Sequence, residues 1–158
     1  AGILGKINKV ENISISEFLK ILKINFLSNK ILIDCLIKKK IKLKNVIALS
    51  SGAAKSGKDG WVLYCTSKAA FYQLINIYSL EQNRVKFINL APGLAKTRMQ
   101  EEIFSVKDKN INSVKKFQKL YRMNKISSPE IIAQKITNFL NNIKKFKSGS
   151  FIDLRNYN

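Results

Sequence analysis

The sequence predicts an α/β fold, and within that class the second, C-terminal half of a doubly wound parallel sheet. Three observations lead there. A short, continuously apolar run bounded by polar residues, 45–50, reads as a buried strand, and 85–90 reads as a second strand. Long stretches with apolar residues at helical spacing lie before, between and after them. Strands that alternate with long helices pair in parallel, with helices on both faces of the sheet. A third strand over 149–154 closes the chain. Three strands are too few for a complete doubly wound sheet, so the order looks like one half of it.

Taken in order, Ser14 and Glu17 form an S-x-x-E capping box that opens the first helix. Phe18, Ile21, Leu22, Leu32, Leu36 and Ile37 follow near helical spacing, with the polar Asn25 among them. The run Lys38, Lys39, Lys40 suits a helix C-terminus, where cations meet the negative end of the dipole. Residues 51–60 are rich in Ser, Gly and Lys and read as a loop. Helical spacing returns over 61–80. After the strand 85–90, Ala91, Pro92 and Gly93 must turn. A short helix is expected over 97–105 and another over 113–123. Ser128 supplies a cap and Pro129 an N1 proline before a helix over 130–143. No internal repeat is apparent.

Composition narrows the chemistry. The 158 residues are 46% hydrophobic and 25% charged, enough to bury a core and enough for one domain. There is no histidine, and the two cysteines have no metal-ligand spacing. Any reaction here has to run on Tyr, Lys, Ser, Asp, Glu or Cys. Cys35 and Cys65 are expected to be small core residues, Trp61 a packing residue, and the lysines of 38–44 a solvated face. The longest apolar stretch, 13–37, is broken by Glu17, Lys20, Lys23, Lys30 and Asp34 and falls short of a membrane span. No basic-then-apolar leader opens the chain. The expectation is a cytoplasmic protein with free thiols and no membrane partner.

The net charge of +19 raises a nucleic-acid reading. The counts speak against a specific one. The chain has 25 Lys against 4 Arg, and Lys with 22 Ile and 16 Asn makes up 63 of the 158 residues. All three are encoded by A/T-rich codons, and the residue that nucleic-acid readers favour, Arg, is the scarce one. A base-biased genome explains the charge, and no specific nucleic-acid partner is expected.

The chemistry concentrates in 51–68. Tyr64 and Lys68 stand four apart on a predicted helix and share a face. Ser51 ends the preceding strand, where open α/β sheets place their ligand crevices. An unperturbed phenol has a pKa of about 10. A neighbouring ammonium lowers it, so that the phenol can exchange a proton with a carbonyl or alcohol oxygen near neutral pH. A serine hydroxyl beside it can hydrogen-bond the same oxygen as charge builds there. By itself Y-x-x-x-K also arises on helices where the tyrosine packs and the lysine is solvated.

The surrounding residues carry a resemblance. Asn45-Val46-Ile47-Ala48-Leu49-Ser50-Ser51-Gly52, then Tyr64-Cys65-Thr66-Ser67-Lys68-Ala69-Ala70, then Leu90-Ala91-Pro92-Gly93 with Thr97 four residues on, resemble the short-chain dehydrogenase/reductase family. Ala1-Gly2 looks like the end of that family's N-N-A-G segment, and Asn25 matches its helix asparagine. Gly60-Trp61, Leu80-Glu81, Thr97-Arg98-Met99-Gln100, Lys147-Ser148-Gly149 and Asp153 are similar to the sepiapterin reductase and bacterial benzil reductase members. The resemblance covers almost the whole chain and implies a Rossmann-type fold, with 1–158 a single partial domain. It also implies an oxidoreductase that uses NADP, with NAD not excluded. As a carbonyl reductase it would act on a ketone, a diketone or a pterin side-chain carbonyl.

Residue by residue, the resemblance makes Tyr64 the proton donor. Lys68 would lower its pKa and hydrogen-bond the nicotinamide ribose. Ser51 would polarise the carbonyl, and Asn25 would hold a water that continues the proton relay; its plainer role is a satisfied core amide. Gly2, Pro92, Gly93, Ala95, Thr97, Met99 and Gln100 would join Tyr64 and Lys68 around the cofactor. Gly52, Gly93 and Asp153 would join Ser51 and Tyr64 around a small-molecule carbonyl substrate, Asp153 at the place of a pterin-anchoring aspartate or as a solvated strand end. Residues about 100–125 would form a mobile lid. Family members pair as homodimers through the two long helices.

The chain departs from the family in one respect. The glycine-rich pyrophosphate turn and its preceding strand are not in this sequence, nor is the residue that chooses between NAD and NADP. The expectation is an N-terminally truncated fragment or a decayed copy, inactive alone. Two other readings stay open: an alcohol dehydrogenase working oxidatively with the same residues, and a noncatalytic remnant or basic nucleic-acid module.

Overall fold

The computed structural model describes residues 2–107 and 110–157. Its first long helix is built in three pieces. α1 (Ile15–Leu22) opens with the capping box: Ser14 accepts from the Glu17 amide while Glu17 reaches back to the Ser14 amide. A π turn at Lys23–Leu27 follows, and α2 (Ser28–Lys38) completes the rod. Next come β1 (Asn45–Leu49), α3 (Val62–Glu81) and β2 (Lys86–Ala91). The chain then makes α4 (Arg98–Phe104), α5 (Asn112–Arg122), α6 (Pro129–Asn141, capped by Ser128 with Pro129 in its first turn) and β3 (Phe151–Asp153). The expected order of helices and strands holds throughout, with bounds moved by a residue or two.

The described strands form one parallel sheet in the order β1-β2-β3, with Asn45 beside Lys86 and Leu90 beside Ile152. The central strand β2 is buried on both faces because successive side chains alternate across the pleat. Phe87 goes to one side, with Ala48, Ile33, Phe71, Ile75 and Tyr78 from β1, α2 and α3. Ile88 and Leu90 go to the other, with Phe139 of α6 and Leu154. A largely apolar run is what such a strand requires, and Phe87, Ile88, Leu90 and Ala91 supply it.

Asn89 is the polar exception in β2. Its amide donates to the Tyr72 carbonyl and the Asn76 side chain, which pays for part of its burial. Tyr78 stacks on Phe87 at 5.3 Å between ring centres and hydrogen-bonds Asp34, which also holds Lys30. Cys35 is exposed, contrary to the expectation of a core thiol, because it stands on the outer side of α2; Cys65 is buried as expected.

Parallel strands bring all their C-terminal ends to one edge of the sheet. The Ser50 amide donates to the Leu90 carbonyl at 2.8 Å and the Leu154 amide to the Ala91 carbonyl at 2.9 Å, so the three exits stay side by side. Among the described residues, no helix is long and apolar enough to cross a membrane, and no group of His, Cys, Asp or Glu could hold a metal ion.

Candidate active site

The strand exits open into a cavity of about 990 Å³. Ser50, Ser51, Gly52 and Ala53 line it from the end of β1, and Trp61, Tyr64 and Lys68 from α3. Pro92, Gly93, Ala95, Thr97, Met99 and Gln100 line it from the segment after β2. Gly2 and Arg155 complete that wall. Of the residues singled out from sequence, all but two border this one space. Asn25 stands behind it, and Asp153 sits beside it without lining it.

Tyr64 and Lys68 project one helical turn apart, with the Lys68 Nζ 5.7 Å from the centre of the Tyr64 ring. Both are buried. Burial pushes the Tyr64 phenol above its usual value, against the pull of the Ser51 hydroxyl that hydrogen-bonds it. The sequence reading expects the lysine to bring the phenol down. The geometry gives the opposite direction, because desolvation outweighs every favourable contact the ring makes. Burial also pushes the Lys68 ammonium below its usual value, and that ammonium donates to the Leu49 carbonyl at 2.9 Å. A phenol held protonated is suited to give a proton rather than to take one.

Asn25 has no exposed surface, and its amide is fully engaged. Its Oδ1 accepts from the Ile3 amide at 2.8 Å; its Nδ2 donates to the Ile3 carbonyl at 2.8 Å and to the Ser67 hydroxyl at 3.0 Å. The side chain therefore clamps the N-terminal segment to α3. A Cβ on Gly2 would lie 3.5 Å from Asn25 Oδ1 and 3.6 Å from Lys68 Nζ, so the bare backbone at Gly2 passes close by both. The π turn centred on Asn25 has no sequence signature, and such turns recur at functional sites.

The wall after β2 depends on Gly93. Its φ of +89° is a left-handed geometry that other residues enter at a cost. Lys96 donates to the Ser127 carbonyl and Ser127 to the Leu94 carbonyl, which fixes 94–97 against the approach to α6. The expected lid corresponds to α4 and α5; Asp108 and Lys109 within it, like Ala1, lie outside the described residues. Asp59 ties α5 to the loop before α3 by accepting from the Asn112 and Ser113 amides and the Ser113 hydroxyl. Trp61 packs at 4.7 Å on Phe117 of α5 and also lines the cavity.

Sequence reasoning missed Asp59 and Arg155. Neither has a local signal, since each acts on a segment far away in the chain or on the cavity wall itself. Asp153 is already occupied: Arg155 donates to it through Nε at 2.9 Å and through Nη2, and the Arg155 amide adds a bond at 3.0 Å. Arg155, not Asp153, reaches the cavity.

Residues 1–108 match the short chain dehydrogenase family. A benzil reductase ((S)-benzoin forming) of Bacillus cereus is 33% identical over 96% of this chain and 64% of its own length. A sepiapterin reductase of Bos taurus is 32% identical over 70% of this chain and 40% of its own. The crystal structure of a short chain dehydrogenase/reductase from Saccharomyces cerevisiae superposes with a TM-score of 0.86 at 26% identity, covering 99% of this chain and 64% of that one. The chain spans 64% of the length of the benzil reductase and of the yeast structure, and 40% of the sepiapterin reductase. It belongs to the short-chain dehydrogenase/reductase family, and its sheet is part of a Rossmann-type fold.

Proposed function

We propose that this short-chain dehydrogenase/reductase chain carries the catalytic half of an NADP-dependent carbonyl reductase. The single observation that carries the reading is the buried, proton-retaining Tyr64 phenol beside the Ser51 hydroxyl at the sheet's C-terminal edge. The names of the relatives support carbonyl reduction: benzil and sepiapterin reductases both act on carbonyl compounds. For the cofactor, the support is a structurally similar Escherichia coli short chain dehydrogenase solved with NADPH, at a TM-score of 0.75.

The residues fit such a group. Gly2 and Gly93 line the cavity with bare backbone, and Lys68 brings a cation to its wall. The Ser50 hydroxyl is buried there with no partner among the described residues. When bound, the reduced nicotinamide supplies the hydride for the carbonyl carbon. Ser51 hydrogen-bonds the carbonyl oxygen as negative charge develops on it. Tyr64 gives its hydroxyl proton to that oxygen, completing the alcohol, and Lys68 stabilises the tyrosinate left behind. Asn25 holds the segment of Gly2 and Ile3 in place behind Lys68. Pro92, Gly93, Ala95, Thr97, Met99 and Gln100 form the cofactor's side of the cavity, and Ser51, Gly52 and Gly93 the substrate's. Pairing into a homodimer is supported by the apolar side chains that α1, α2 and α3 leave exposed, among them Ile15, Leu19, Ile31 and Leu80.

The test is Tyr64→Phe in the complete protein, assayed by NADPH oxidation with benzil. Turnover is expected to fall about 10²- to 10⁴-fold, the usual weight of a positioned acid, while nucleotide binding and the thermal midpoint stay close to wild type. Turnover retained within a factor of a few overturns the role of Tyr64.

A further inference from the structure

The charge of the cavity is one-sided. Lys58, Lys68, Lys116 and Arg155 line it, and among the described residues no Asp or Glu does. Lys68 belongs to the chemistry above. Arg155 stands at the substrate end: a Cβ on Gly52 would lie 3.4 Å from its Nη2, and a Cβ on Gly93 3.1 Å from its Cγ. The Arg155 side chain therefore lies along the two glycines, its methylene stem against Gly93 and its guanidinium against Gly52, one residue from Ser51. Both positions lack the side chain that would displace it.

The guanidinium is also fixed. Leu154 is fully buried and its amide is bonded to the Ala91 carbonyl, so the backbone that carries Arg155 is anchored to the sheet. Asp153 grips Nε and Nη2 along one edge of the fork. That leaves the Nη1/Nη2 edge of a planar, always-charged group whose shape matches a carboxylate. Its side chain keeps 59% of its surface, against 14% for Asp153, so the carboxylate is the hidden partner and the cation the presented one.

We propose that Arg155 selects the substrate, and that the substrate is a short oxo acid: a ketone whose carboxylate docks on the Nη1/Nη2 edge while its carbonyl meets Ser51 and Tyr64. Lys58 and Lys116 add long-range attraction for an anion entering the cavity. The site prefers an anionic ketone to a neutral one of the same shape. It disfavours a ligand that would need Asp153 as a bare acceptor, because Arg155 would have to be displaced first. The proposal rests on the carbonyl-reductase reading for where the ketone sits, but its binding test does not.

The test uses two pairs of probes that differ in the charge and one methyl group: phenylglyoxylate with its methyl ester, and 3-benzoylpropionate with its methyl ester. Dissociation constants are measured on the protein by ligand-observed NMR without nucleotide. In at least one pair the acid is expected to bind about tenfold more tightly, the weight of one charge-assisted pair. Arg155→Gln is expected to abolish the preference. The double variant Asp153→Asn/Arg155→Gln, which leaves no unpaired carboxylate, is expected to do the same with the fold intact. Acids that bind no better than esters in both pairs overturn the proposal, and so does a preference that survives both variants. Reduction of the same probes with NADPH by the complete protein separates the two readings. Discrimination without turnover removes the reductase and leaves Arg155 in its role, whereas turnover without discrimination does the reverse.

Discussion

Replacing Asn25 with alanine isolates what the asparagine does in the folded chain. The buried side chain makes three hydrogen bonds, two of them to the partly buried backbone of Ile3 and one to the buried Ser67 hydroxyl. Alanine leaves the Ile3 N–H and C=O unpaired, at about 1–3 kcal/mol for each buried group. Ser67 loses less, because its hydroxyl still donates to the Tyr64 carbonyl. With partial relaxation of the N-terminal segment the sum is about 3 kcal/mol. For a chain of this size each kcal/mol moves the midpoint by roughly 2–4 °C, so the expected drop is about 6–12 °C. Differential scanning calorimetry on wild type and Asn25→Ala reads it directly. A drop below about 2 °C would refute the clamp and return Asn25 to a purely relay role. A drop of the expected size means that any loss of activity in this variant reports a displaced Gly2–Ile3 segment as much as a broken proton path.

Gly93→Ala forces a left-handed residue and sets a methyl 3.1 Å from Arg155 Cγ; a loss of about 1–2 kcal/mol in chemical denaturation is expected, and no loss would mean the turn is not held as described. Asp59→Ala removes the acceptor for three donors at the start of α5 and is expected to cost about 1 kcal/mol, read most directly as faster hydrogen exchange at Asn112 and Ser113. Acid stability follows from three carboxyls held below their ordinary values: Asp34 by Lys30 and Tyr78, Asp59 by Ser113, and Asp153 by Arg155. Depressed groups contribute stability above their unfolded pKa of about 4 and lose it as pH falls through the folded values. The thermal midpoint is therefore expected to hold from neutral pH to about 4 and to fall below it; a midpoint that rises on acidification contradicts the assigned partners.

The alternation of strands and helices was legible because each element here obeys a local rule. The capping box at Ser14, the apolar runs of β1 and β2 and the Ser128-Pro129 helix start are set by residues within a few positions of one another. The convergence of Ser51, Tyr64, Lys68 and Gly93 was legible because parallel strands deliver their exits to one edge whatever the loops contain. What sequence could not supply was the balance of burial against charge. Tyr64 four residues before Lys68 says that the two are near, but not that desolvation would outweigh the ammonium. Nor does it say that Lys68 would turn its nitrogen to Leu49. Arg155 escaped for a similar reason: its meaning depends on two glycines far away in the chain.

Without histidine, the proton chemistry of this cavity is decided by a phenol and an ammonium whose ordinary affinities nearly coincide, 10.0 for Tyr64 and 10.5 for Lys68. In water near neutral pH both would hold their protons. Burial moves the two in opposite senses, the phenol up and the ammonium down, and each change favours the proton on the phenol over the lysine. On the proposed reaction the resting phenol is the form that gives a proton to the carbonyl oxygen, and Lys68, one helical turn away, is placed to return one to the tyrosinate. The same pair serves oxidation in reverse, with the tyrosinate taking the alcohol's proton, so the direction of turnover follows the concentrations of cofactor and substrate.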